Sequence, residues 1–408
     1  MNGLNVNQQA LLILVRGALW SSMEELPEAD WGEVEKLAIS QGVLWMLYLG
    51  AKKYPQQIPA DRVRIWRGSM HAIVLNNEQI NDVQVALVEW LAQNGIRAAI
   101  LKGTSCSRYY PYPEARSLGD IDILVDEAHL GEVRDYLISQ GYMPSQEDHE
   151  FHVAYYGKDA VIEVHSAITN VPDSLGGLAV RREMSRFLDS IEIVNINEMV
   201  FPGLSTVHHT LMLLLHMERH MVIGGIGLRQ LCDWATFVNG SEREHWKNGT
   251  LALLDNCGLL IYAKALTQTC VKFLGLDPAK ADWCNGVVDE RTDEIIADVF
   301  RGGSMGRADT ESIGNLFTDR AALGNKHQGK VWGIISYLNK LAYKNWPITQ
   351  KSKILLPLCW IYIPMRYWVR SLLGDRRKLD YAQIIGVSNQ RERLYKSLKL
   401  YEINERKN

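Results

Sequence analysis

The chain has 408 residues, 47% of them hydrophobic, which is enough for two or three domains with proper cores. Its six cysteines (Cys106, Cys232, Cys257, Cys270, Cys284 and Cys359) form no C-x-x-C pair or tight cluster, so neither a disulfide framework nor a zinc site is expected. The formal charge is only −3 but is unevenly spread: nine Lys or Arg against Asp375 between Lys340 and Lys378 give that stretch +8 and leave −11 on the rest.

Residues 1 to 90 carry apolar side chains at helical spacing, with Trp31, Trp45 and Trp66 as core anchors. The apolar stretch Ala10–Trp20 is interrupted by Arg16 and has neither a basic leader nor a small-residue cleavage site. It reads as a core helix of a cytoplasmic protein, not a signal peptide.

Residues 91 to 198 mix strands and helices and hold every chemical motif. After the amphipathic stretch Val83–Gln93, Gly95–Leu101 reads as a short buried strand ending in the turn Lys102-Gly103-Thr104-Ser105. A glycine at a strand-to-helix turn lets backbone N–H groups approach a phosphate, and a following helix N-terminus favours the anion. In Gly119-Asp120-Ile121-Asp122-Ile123-Leu124-Val125, strand alternation puts Asp120 and Asp122 on one face and Ile121, Ile123 and Val125 on the other. Two carboxylates on one strand face repel each other unless a cation neutralises them, and Mg²⁺ suits an all-oxygen site completed by substrate phosphates. The strand Ala160–His165 adds a third carboxylate, Glu163, on the same face as His165. A phosphate turn, a D-x-D strand and a third carboxylate are the parts of a two-metal nucleotidyl-transfer site.

Lys102-Gly103, Arg116-Ser117-Leu118-Gly119-Asp120-Ile121-Asp122-Ile123-Leu124-Val125, the Gly141-Tyr142 turn and Ile162-Glu163-Val164-His165 together resemble the uncharacterised nucleotidyltransferases of the polymerase-β-like superfamily. The likeness covers about residues 95 to 170 and extends to Gly225–Trp234. It implies an α+β fold, a small mixed-sheet catalytic domain at 91–198 between helical regions at 1–90 and 199–408. It also implies transfer of a nucleoside monophosphate from an NTP to a hydroxyl-bearing acceptor, with release of pyrophosphate. Asp120, Asp122 and Glu163 would hold two Mg²⁺ ions, Mn²⁺ being the alternative, with Glu163 a ligand or the proton acceptor. Gly103, Thr104 and Ser105, beside Gly119, would cradle the phosphates, assisted by Lys102 or Arg116. The superfamily usually has Gly-Ser at this turn and a shorter gap to its D-x-D, so either Thr104 or Ser105 is the phosphate-contacting hydroxyl. A kinase on the same scaffold, and a nucleotide-binding or scaffolding protein without turnover, stay open as alternatives.

From residue 199 the chain is helical again. His216-Met217-Glu218-Arg219-His220 has the glutamate one position too late for a zinc peptidase, because on a helix it turns away from the face shared by the two histidines. Those histidines read as packing or interdomain hydrogen-bonding residues or, less simply, as a metal pair. Arg229 and Asp233, four residues apart, form a surface ion pair in the simplest reading, although an arginine here also suits a triphosphate. The Gly-containing stretch Arg301–Arg307 reads as a loop without the G-K-[ST] ending of a P-loop. Within the basic stretch, the apolar run Ile354–Met365 is too short to span a bilayer and is interrupted by Pro357 and Pro364. It reads as a core helix with a basic rim, as a surface for an anionic membrane, or as a seat for a negatively charged acceptor. No recognised nucleic-acid-binding module is present.

Overall fold

A computed structural model describes residues 3–145, 151–223, 225–284 and 289–303, and scattered positions between 339 and 403. The chain forms two compact units, one of residues 1–221, 225–306 and 398–408, the other of 222–224 and 307–397. The boundaries expected at 90 and 198 fall inside the first unit.

Helix α1 (Val6–Trp20) starts at a capping box in which Asn5 and Gln8 satisfy each other's backbone donors. It is buried from Ala10 to Leu19, as an all-round apolar helix must be. Arg16 is compatible with that burial because its guanidinium meets the Glu24 carboxylate at 2.6 Å and the Phe273 carbonyl at 2.9 Å. Helices α2 (Trp31–Ser40) and α3 (Leu44–Ala51) pack beside it. A side chain at Gly50 would meet the Leu14 carbonyl at 2.2 Å, so glycine sets the approach of α3 to α1.

Helix α4 (Ala60–Gln93) runs 34 residues and leads into the sheet. Seven strands follow among the described residues: β1 (Ala98–Ile100), β2 (Ile121–Val125), β3 (Met143–Pro144), β4 (His152–Tyr156), β5 (Val161–His165), β6 (Ile191–Ile196) and β7 (Met199–Leu204). Their order is β3-β4-β5-β2-β1-β7-β6. β2 is antiparallel to β1 and parallel to β5, and β1 is parallel to β7, so the sheet is mixed as expected.

Alternation along the strands sorts the side chains. Ile121, Ile123 and Val125 of β2 and Ile162 and Val164 of β5 enter one core with Ile80, Leu87 and Leu91 of α4. Helix α6 (Leu130–Ser139) covers the same core through Val133 and Leu137. The carboxylates are thereby sent to the opposite face, where α8 (Thr206–Ile223) and α9 (Leu228–Gly240) supply the facing side chains. Between β1 and β2 lies α5 (Thr104–Ser107), and after β5 comes α7 (Leu175–Met184).

In the second unit, Ala342, Leu356 and Cys359 form a small core with Trp346 and Trp360, whose indole N–H donates to Asn339 at 2.9 Å. The nine basic residues between Lys340 and Lys378, and residues 304–307 of the Gly-containing loop, lie outside the described residues. Among the described residues no helix is long and apolar enough to cross a membrane.

Candidate active site

Parallel pairing sets Asp122 of β2 directly beside Glu163 of β5, and Leu124 beside His165. Antiparallel pairing sets His152 of β4 beside His165. One sheet face therefore presents Asp120, Asp122, Glu163, His165 and His152. Ligand atoms of Asp120, Asp122 and Glu163 all lie within 4.8 Å of one another, and so do those of His152, Glu163 and His165.

Asp122 is almost fully buried, and its two oxygens differ. Oδ1 receives Lys102 Nζ at 2.8 Å and His165 Nε2 at 3.0 Å. Oδ2 is buried without a hydrogen-bond partner. Burial alone would raise Asp122, but Lys102 and His165 outweigh it and hold it well below the usual carboxylate range. Asp120 is compensated only in part: the neighbouring Asp122 charge and its own burial push it up to about 6, against the opposing pull of Lys102 and Arg229. Burial would lower His165, yet its hydrogen bonds to Asp122 and Glu163 raise it, and its other nitrogen faces the Ala167 carbonyl at 3.4 Å. A ring with acceptors on both sides favours the charged, doubly protonated form. Glu163 Oε2 lies 3.5 Å from His165 and Oε1 lies 3.7 Å from His152.

The turn after β1 is built on Gly103, whose φ of +60° is natural only to glycine. The two hydroxyls expected to contact phosphate do not face the cavity. Buried Thr104 donates to Gln84 of α4 at 2.8 Å, and buried Ser105 donates to the Ile100 carbonyl at 2.8 Å. The reason is that α5 turns inward immediately, so both side chains fill hydrogen-bonding needs in the interior. α5 is also only four residues long, too short for the helix-dipole help the sequence suggested.

A cavity of about 230 Å³ opens beside the carboxylates. Lys102, Gly103, Arg116, Gly119, Asp120 and Asp122 line it from the sheet side, with Leu213, His216, Met217 and His220 from α8 and Arg229, Gln230 and Asp233 from α9. Arg116 is not a loose cation. Its Nε and Nη2 bond both oxygens of Asp233 at 2.9 and 2.6 Å, and Tyr110 donates to the same carboxylate at 2.7 Å. The expected Arg229–Asp233 pair is therefore replaced by Arg116–Asp233, because both Asp233 oxygens are already taken. The Arg229 side chain has no ion-pair or hydrogen-bond partner among the described residues, and burial together with Arg116 lowers its proton affinity.

Two positioning residues escape a motif search. Asn77 of α4 donates to the Glu114 and Arg116 carbonyls, both at 2.8 Å, and accepts from Leu118 N at 2.9 Å, holding the strand of chain that delivers Gly119-Asp120. Gln84, two turns further along the same helix, holds Thr104. Their signal is legible afterwards: Asn77, Ile80, Gln84, Leu87 and Leu91 form one stripe at helical spacing, and two of its members are polar. Gln41 plays a similar part for α9, accepting from Leu228 N at 2.9 Å and donating to the Val299 carbonyl at 3.0 Å. His152 was also missed, since only the β4–β5 pairing brings it to Glu163.

A family model described as uncharacterised nucleotidyltransferase matches residues 27–275, more than half of the chain and all of this site. The chain belongs to this family. No curated protein matches it. Membership supports nucleotidyl transfer as the reaction class, and the matched span covers α2 to the end of the helix Leu260–Leu274, so the helical wall of the cavity is part of the nucleotidyltransferase unit and not an addition to it. The acidic cluster of this nucleotidyltransferase could hold a divalent metal. The donor set fits: the ligands are all oxygen, Asp122 keeps a buried, partnerless Oδ2, and the proton affinity of Asp120 is raised by the neighbouring Asp122 charge.

Proposed function

We propose that the protein transfers a nucleoside monophosphate from an NTP to a hydroxyl-bearing acceptor and releases pyrophosphate. The observation that carries this reading is the convergence of Asp120, Asp122 and Glu163 within 4.8 Å, with Asp120 and Asp122 lining a cavity that also holds Arg229, whose side chain has no ion-pair or hydrogen-bond partner among the described residues. Asp120, Asp122 and Glu163 would hold two Mg²⁺ ions, or Mn²⁺. Bound there, the metal neutralises the triphosphate and lowers the pKa of the acceptor hydroxyl.

The chain's own residues do the positioning. Lys102 and His165 occupy Asp122 Oδ1 and leave Oδ2 without a hydrogen-bond partner. Gly103 and Gly119 leave the sheet-side wall without bulk, so phosphate oxygens can approach the backbone. Arg229 grips the triphosphate, which replaces the partner it lacks in the protein. Arg116 serves differently from the sequence reading: bound to Asp233, it braces the segment before Asp120 against α9. Catalysis is then chiefly positioning and charge neutralisation, as is general for phosphoryl-group chemistry.

The test is incubation of the full chain with Mg²⁺, a cell extract as the source of acceptors, and ATP, GTP, CTP or UTP labelled at the α or γ phosphate. Label transfer from the α position is expected. Transfer from the γ position alone would make the protein a kinase on this scaffold, and no transfer with intact NTP binding would make it a binding protein.

A further inference from the structure

Two imidazoles in this cavity have no assigned part. His216 and His220 lie one turn apart on α8, with ring centroids 4.4 Å apart and planes at 72°. Both line the cavity opposite Lys102, Asp120 and Asp122, and both are partly accessible from it. Neither ring has a hydrogen-bond or ion-pair partner among the described residues beyond the edge contact with the other.

The other titratable groups of the site are already committed. Glu163 is turned to His152 and His165 and does not line the cavity, and its hydrogen bond to His165 holds it below the ordinary value against the effect of burial. His165 donates to carboxylates, Lys102 is bound to Asp122, and Asp233 is closed by Arg116 and Tyr110. Asp120 and Asp122, with Glu163, are the candidate metal ligands. That leaves the α8 pair as the cavity's neutral bases among the described residues.

We infer that His216 and His220 form the acceptor side of the site, binding the acceptor hydroxyl and taking its proton during transfer. This inference rests on the proposed nucleotidyl transfer. In the step, the acceptor O–H gives its proton to a ring nitrogen of the pair while its oxygen forms a bond to the α-phosphorus. The bond from that phosphorus to the bridging oxygen of the β-phosphate breaks, and pyrophosphate leaves with the electron pair. The imidazolium afterwards returns its proton to solvent.

The electrostatics support the role. Burial first, then Lys102 and the neighbouring imidazole, hold His216 well below its ordinary value. Burial first, then Lys102, Arg219 and Arg229, bring His220 down to about 4, with Asp122 the opposing charge on both. Both rings are thus neutral and able to accept a proton at physiological pH. A metal-binding pair is the poorer account, since no third His, Cys, Asp or Glu joins them in a metal-sized cluster among the described residues.

The test compares wild type with the His216→Gln/His220→Gln double variant and with single His216→Asn and His220→Asn variants. Affinity for MgATP and α-label transfer in extract are measured on each folded protein. The expected result is MgATP affinity within about threefold of wild type and a transfer rate down at least about a hundredfold in the double variant, the scale of a lost general base. A double variant that transfers within about threefold of wild type overturns the inference, and if it does not fold the single variants are judged by the same criterion. Binding of Zn²⁺ or Co²⁺ without nucleotide that disappears in the variants also overturns it, in favour of a metal pair. If wild type binds MgATP but transfers nothing, the proposed reaction fails separately. The pair is then judged by mapping diethyl pyrocarbonate modification: both rings modified, and protected by MgATP, keeps them as ligand contacts, while unmodified rings remove them from the site.

Discussion

Arg116 closes on Asp233 through two hydrogen bonds of 2.9 and 2.6 Å across 117 residues of sequence, joining the segment before the D-x-D strand to α9. Both partners are buried, so the pair stabilises only while both are present. Asp233→Ala is expected to cost about 3 kcal/mol or more, read from urea unfolding, because it strands a buried guanidinium. Arg116→Met with Asp233→Leu should recover most of that loss. A double variant as unstable as the single would mean the pair is not the source of the cost.

Asp120 and Asp122 are expected to respond oppositely to loss of charge. Folding raises Asp120 to about 6, from an ordinary value of 3.8, so the folded chain takes up a proton there and the ionised form opposes folding above that range. Asp120→Asn should therefore melt higher than wild type at about pH 7.5 without metal, by on the order of 1 kcal/mol, with the advantage fading as pH falls toward about 4. Asp122 is held below its ordinary value, so its contribution is present at neutral pH and lost in acid. Asp122→Asn should melt lower at neutral pH, since Lys102 and His165 lose their counter-charge. Both variants should lose the Mg²⁺-dependent rise in melting temperature and the transfer activity; thermal scans from about pH 4 to 8 distinguish the two patterns.

Arg229 has no protein partner to lose among the described residues. Arg229→Ala should leave stability within about 0.5 kcal/mol of wild type and weaken NTP binding at least about tenfold by calorimetry, the worth of one charge-assisted contact. Arg229→Lys should restore only part of the affinity, because a point charge cannot reproduce a two-pronged grip. Unchanged affinity in the alanine variant would take Arg229 out of the triphosphate site.

The basic stretch offers a prediction from sequence alone. If Lys340–Lys378 meets an anionic membrane, the protein should sediment with phosphatidylserine vesicles and release as salt rises, at about 1 kcal/mol per basic residue. Arg376→Glu, Arg377→Glu and Lys378→Glu together should then abolish sedimentation while NTP binding persists. A core-helix role gives no sedimentation at any salt, and an acceptor-binding role gives a raised acceptor KM with no vesicle binding.

Several parts of this protein are local and so were legible in the chain itself. Period-two alternation put Ile121, Ile123 and Val125 into the core and Asp122 onto the opposite face, and the same rule separated Ile162 and Val164 from Glu163. The apolar run of α1 announced burial even though Arg16 interrupts it. The mixed sheet and the reaction class followed from the same short motifs.

Other features depend on which elements meet, and spacing along one element does not carry that information. Arg229 and Asp233 have the right separation for an ion pair, but Asp233 is nearer in space to Arg116, whose fork takes both oxygens. Thr104 and Ser105 have the chemistry of phosphate ligands, but α5 turns them onto Gln84 and Ile100. His216 and His220 were legible as a pair on one helix face, while what that face looks at was decided by α8 crossing over the carboxylates. The residue types and their faces were determined by the sequence alone, because backbone geometry repeats every two or 3.6 residues. Which charge meets which, and which polar groups are left to receive a substrate, was decided by tertiary packing, because a buried charge is satisfied by whatever partner the fold brings within about 3 Å.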